Sequence, residues 1–161
     1  MKFLSNNIFS DFEFHDAYFK LEGFENKTLT VSVQYLNIHK NTEQNPCDTD
    51  IEIENARITF HNFQAISFEP GRAWQYDANG NRYTDDPQVI FEGEAAVEKL
   101  LNELRTGTTV LTFEPLDNGN IYLDGTGSEP YFESAFMFDC ATIQWDAFKK
   151  PAWYEERPFK K

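Results

Sequence analysis

Apolar residues recur at every second position through most of this chain, the spacing that lets a strand bury one face. His15, Ala17, Phe19 and Leu21 alternate with Asp16, Tyr18, Lys20 and Glu22, and Leu29, Val31, Val33 and Tyr35 alternate with Thr28, Thr30, Ser32 and Gln34. The loop between them, 23–27, is short enough to join the two as an antiparallel pair. At Leu36-Asn37-Ile38 the apolar positions change parity, and the stripe of Ile51 and Ile53 shifts again at Ala56, Ile58 and Phe60. One inserted residue turns every later side chain to the other face, so both shifts predict bulged strands.

Two Asn-Gly dipeptides mark tight turns, because their residues accept positive φ. The first, Asn79-Gly80, lies between Trp74-Gln75-Tyr76 and Arg82-Tyr83; the second, Asn118-Gly119, separates the runs 109–114 and 121–123. Between these hairpins Ala96, Val97, Leu100, Leu101 and Leu104 follow helical spacing and predict a helix over 92–105, with Gly107 to end it. A last strand region runs over 131–145, as one bent strand or two. These elements predict a mainly β (α+β) fold, a single antiparallel β-sandwich or strongly curved sheet with one packed helix near 92–105. Residues 1–148 read as one β-rich domain and 149–161 as an irregular C-terminal tail pinned by Trp153 and Phe159.

The composition suits such a domain. With 161 residues, including 16 Phe, 7 Tyr and 3 Trp, the chain can build one core without disulfides or a structural metal. Cys47 and Cys140 lack metal-site spacing and read as two reduced thiols. No apolar stretch approaches the roughly 20 residues of a spanning helix, and the first residues hold no apolar signal segment. These features predict a cytoplasmic protein.

Charge changes the picture further. A net charge of −13 repels phosphate backbones and anionic lipid surfaces, which argues against nucleic-acid and membrane partners and favours a basic protein partner. No Lys or Arg occurs from 106 to 148, whereas Glu114, Asp117, Asp124, Glu129, Glu133, Asp139 and Asp146 do. Asp124, Glu133 and Asp139, pointing outward on neighbouring strands, would form an acidic face that steers such a partner.

Catalytic and cofactor signals are weak. His15, His39 and His61 have no second ligand at a recurrent spacing, and no metal or other cofactor is expected. Asp16 follows His15 on the opposite strand face, so His15 reads as a packed residue at the core edge. The stretch 77–81 has its glycine at the wrong place for a calcium loop. Residues 76–82, Tyr76-Asp77-Ala78-Asn79-Gly80-Asn81-Arg82, resemble the tip of one YD repeat of RHS-type shell proteins, a likeness of hairpin tips that a single copy cannot extend into a shell. Ser128 lacks a nucleophile elbow. Carboxylate pairs such as Glu52/Glu54 or Glu133/Asp139 could serve glycoside hydrolysis. Trp74, Tyr76, Tyr83 and Trp145, joined by Trp153 and Tyr154, could form an aromatic platform for carbohydrate or peptide.

The stretch Phe12-Glu13-Phe14-His15-Asp16-Ala17-Tyr18-Phe19 and the alternating strands after it resemble small bacterial β-rich, immunity-protein-like domains over the first 40 residues. The resemblance implies stoichiometric binding and carries over no catalytic residue. The sequence therefore predicts an acidic protein-binding module that neutralises a basic partner, with a carbohydrate-binding or hydrolytic domain built on an aromatic and carboxylate-lined cleft as the alternative.

Overall fold

The computed structural model describes residues 1–128 and 131–155, so Glu129 of the acidic run and Phe159 of the tail lie outside the described residues. In chain order the strands are β1 (Phe3–Asn6), β2 (Phe12–Glu13), β3 (Tyr18–Glu25), β4 (Thr28–Gln34), β5 (Asn37–Ile38), β6 (Ile51–Glu54), β7 (Ala56–His61) and β8 (Gln64–Pro70). Then come β9 (Gln75–Tyr76), β10 (Arg82–Tyr83), β11 (Phe91–Glu92), the helix α1 (Gly93–Thr106), β12 (Thr108–Pro115), β13 (Ile121–Thr126), β14 (Phe132–Met137), β15 (Cys140–Trp145) and β16 (Ala147–Pro151). Ten strands form one antiparallel sheet in the order β1-β15-β7-β4-β3-β12-β13-β14-β8-β11. Four more form a small sheet, β16-β6-β5-β2, and β9 pairs with β10 alone.

The two sheets share their strands. β15 runs into β16 at Asp146, β6 into β7 at Asn55, β4 into β5 at Tyr35-Leu36, and β2 into β3 through residues 14–17. The neighbour order is the same on both sides, so the small sheet continues part of the large one past a corner. Tyr35, Asn55 and Asp16 turn this corner with φ of 59°, 54° and 69°. The parity changes at 36–38 and 54–56 are therefore strand corners, not the predicted bulges within one strand. Bulges do occur between Leu21 and Gly23 and between Val110 and Thr112.

One core serves both sheets. Phe19, Val31, Ile58, Ile143, Leu123 and Phe136 from the large sheet join Phe12, Ile38 and Ile53 from the small one. The helix closes it with Ala96, Leu100, Leu101 and Leu104, and packs mainly on β8 and β3. Both Asn-Gly hairpins form, β9-β10 and β12-β13. The region 131–145 divides into β14 and β15, which lie in distant parts of the sheet. The segment expected as a tail begins as a strand instead. β16 pairs with β6 as far as Pro151, and Ala152 beyond it is fully buried, donating its amide to the Asp50 carbonyl at 2.9 Å.

Candidate functional site

Strand register builds a row of carboxylates on the outer face of the large sheet. Asp124 of β13 stands opposite Glu133 of β14, and Glu133 stands opposite Glu69 of β8. Side chains paired this way have Cβ atoms roughly 5 Å apart, a spacing at which like charges repel. Tyr122, two residues before Asp124 and so on the same face, directs its hydroxyl to Asp124 Oδ2 at 3.4 Å. Burial, then Glu133 and Asp124, push the Tyr122 phenol well above its ordinary value, so it remains a proton donor. Asp124 Oδ1 is buried and has no hydrogen-bond partner. Among the described residues the one ion pair made by this row is Arg72 Nη2 to Glu69 Oε1, 3.7 Å.

The row ends in a cleft of about 540 Å³ lined by Glu69, Arg72, Trp74, Tyr76, Arg82, Tyr131 and Glu133, among others. Gly71 lets the cleft form, because its amide donates to the Tyr131 carbonyl at 2.7 Å and a Cβ there would stand 2.2 Å from that oxygen. The loop beyond is tied by the Ala73 amide donating to Asp86 Oδ2 and by Thr84 Oγ1 donating to the Ala73 carbonyl, at 2.7 and 2.6 Å. Arg82 and Arg72 lie over the Trp74 ring, with guanidinium carbons 4.0 and 4.8 Å from its centroid.

The structure redistributes the residues singled out from the sequence. Asp124 and Glu133 come together; Asp139 does not join them. It is exposed in the turn after β14, where it accepts from Asn62 Nδ2 at 3.1 Å, and four residues of strand, roughly 13 Å, separate Glu133 from the end of β14. Glu69 takes the third place, and no local pattern marks it, because register between distant segments is not written in either one. Trp74 and Tyr76 line the cleft, Tyr83 donates its hydroxyl to Gln75 Oε1 at 2.9 Å, and Trp145 is excluded from any platform because it is fully buried beneath Phe3, Phe12 and Phe148.

His15 also differs from expectation. It stands with Asp16 in the turn before β3, with 55% of its side chain exposed and Nε2 3.7 Å from Asp16 Oδ1. Nδ1 donates to the Leu111 carbonyl at 2.8 Å, since a carbonyl can only accept. That bond, opposed by burial and helped by Asp16, Glu13 and Asp124, holds the imidazole above its ordinary 6.5. Asp77 spends its carboxylate on the turn, accepting from the Asn79 and Asn81 amides at 2.9 and 2.8 Å. Among the described residues no three His, Cys, Asp or Glu side chains gather as a metal site would require, and no helix is long and apolar enough to cross a membrane.

No protein-family model, curated protein or solved structure matches the chain.

Proposed function

We propose that the protein is a binding module that neutralises a basic protein partner by docking it on the carboxylate row. The observation that carries this reading is the in-register series Asp124, Glu133, Glu69, with Asp124 Oδ1 buried and unbonded. Like charges placed directly opposite destabilise a sheet, and a buried acceptor without a donor adds to that cost. A partner's guanidinium or ammonium group would relieve the repulsion between the carboxylates, and the net charge of −13 would steer it to the face. Tyr76, 70% exposed, flanks the row as contact area for the same partner. The free thiols of Cys47 and Cys140 suit a reducing compartment, and we place the encounter in the cytoplasm. Sugar stacking on Trp74 has less support, because Arg72 and Arg82 already occupy that ring.

Native mass spectrometry of the protein purified gently from its host, at low salt, tests this reading. A stoichiometric basic protein is expected on the wild type and on Asp139→Asn, and is expected to be lost from Glu69→Gln/Asp124→Asn/Glu133→Gln. A complex that persists in the triple variant, or a wild type that carries no basic protein, overturns it.

A further inference from the structure

At the corner between the two sheets, cavities of about 560 and 470 Å³ meet, sharing Tyr35, Glu52 and Lys149. Asp16, Asn37, Lys150 and Trp153 complete the smaller one. Register sets Glu13, Asn37, Glu52 and Lys150 side by side across β2, β5, β6 and β16. Asn37 is 2% exposed and Glu52 7%, a depth polar side chains seldom reach without partners. Glu52 has them: Lys149 Nζ lies 3.0 Å from Oε1 and Lys150 Nζ 3.9 Å from Oε2. Asn37 is half satisfied. Its Nδ2 donates to the Tyr35 carbonyl at 3.4 Å, and Oδ1 is left buried with no donor. The strand neighbours on either side of it are carboxylates, and an ionised carboxylate has no hydrogen to give.

We propose that this corner cleft binds a sugar, at a site separate from the acidic face. A ligand here must donate to Asn37 Oδ1, and beside the Glu52–lysine pairs it does best if it also accepts from the ammonium groups of Lys149 and Lys150. A hydroxyl does both. An organic cation meets only the first need and is repelled by two lysines; an anion meets only the second and faces Asp16 and Glu52. Tyr35 and Trp153 stand at the rim, 55% and 40% exposed, as surfaces for the apolar face of a pyranose ring. Tyr35 keeps its place through a φ of 59°, uncommon for a bulky residue and imposed here by the corner.

Methyl glycosides of glucose, galactose, mannose and N-acetylglucosamine, titrated at millimolar concentration into isotope-labelled protein, test the proposal by NMR. At least one is expected to shift the Asn37 side-chain amide and the Trp153 indole. Trp153→Ala and Lys150→Ala, both at exposed side chains, are expected to weaken that binding by about tenfold with the rest of the spectrum in place. Asn37→Leu removes the acceptor itself, and the same spectrum reports whether that variant folds. The proposal is overturned if none of the four sugars moves these resonances, if the shifts fall at the Trp74 cleft, or if binding survives both alanine variants unchanged. Tetramethylammonium or inorganic phosphate binding here in preference to every sugar also overturns it.

Discussion

Phe60 of β7 and Phe136 of β14 face each other with ring centroids 5.6 Å apart, although β4, β3, β12 and β13 lie between their strands in the sheet. Only a sheet that curls back on itself brings them together, and Phe63, Phe113 and Phe138 pack around the joint. Both rings are almost fully buried. Phe60→Ala or Phe136→Ala is therefore expected to cost about 3–5 kcal/mol, read as a lower urea midpoint. Because the rings share neighbours, the double variant should lose less than the sum of the two. Strict additivity would show that they do not act as one cluster.

Glu103 fastens the helix to the turn after β13. Its carboxylate, on a residue only 6% exposed, accepts from the Ser128 amide at 2.8 Å and from Ser128 Oγ at 2.6 Å. A Cβ on Gly127 would stand 1.9 Å from Glu103 Oε2, so that position must stay without a side chain for the bond to form. Glu103→Ala should cost about 1.5–3 kcal/mol, and Ser128→Ala, which spares the amide bond, about 1 kcal/mol. Urea unfolding and amide exchange at Ser128 check the order; equal losses would deny the carboxylate its second bond.

The strands with clear alternation, both hairpins and the helix were legible in the sequence because each depends on residues close together in the chain, whereas β1, β8, β11 and β16 were not read as strands. Period-two alternation marks Leu29, Val31 and Val33 whatever their partners are, and Ala96, Leu100, Leu101 and Leu104 mark one helix face in the same way. The corner at Tyr35 was not legible as a corner, since a strand that leaves one sheet for another shifts parity as a bulge does. Trp145 illustrates a second limit. Its alternation with Gln144 shows that one of the two faces inward, but its burial depends on Phe3, Phe12 and Phe148 arriving from other segments. Glu69 joined the acidic row for the same reason, through a register set between β8 and β14.

Asp50 gives the fold a dependence on acid. Burial raises its carboxyl, but bonds from the Lys40 amide at 2.9 Å, His39 Nδ1 at 2.8 Å and the Tyr154 hydroxyl at 2.7 Å bring it below the ordinary 3.8. A carboxyl depressed in the folded state contributes stability above its unfolded value and loses that contribution as the pH falls through the folded one. Below 3.8 the attachment of residues 152–155 should weaken. Tyr154→Phe should cost about 1.5 kcal/mol at neutral pH and less in acid, and Asp50→Asn should flatten the pH profile. A Tyr154→Phe cost that stays constant with pH would break the link to Asp50.

His15 works in the opposite sense. Its imidazole is held above 6.5, so the stability it contributes is complete below that value and fades as the pH rises through the folded value. With 55% of the side chain exposed the contribution is small, and the clear readout is an NMR titration of the ring. A midpoint above 6.5 is expected, lowered by Asp16→Asn and, to a lesser degree, by Asp124→Asn. A midpoint at or below 6.5 would mean that the Leu111 carbonyl does not hold the ring.

The carboxylate row sets stability against binding. If Asp124, Glu133 and Glu69 repel one another across their strands, neutralising the central residue should make the free protein more stable. Glu133→Gln is expected to raise stability by about 0.5–1 kcal/mol at low salt, because it relieves two in-register pairs at once. Asp124→Asn relieves one pair and places a donor where either oxygen stood, so it should gain a similar amount. Both gains should shrink in high salt, since screening already weakens the repulsion between partly exposed charges. The same substitutions should slow association with a basic partner, and more at low salt than at high. A structural role predicts the reverse sign in the free protein: if Glu133 were there to hold the sheet together, Glu133→Gln would lower the urea midpoint. The two readings therefore separate in unfolding experiments on the protein alone.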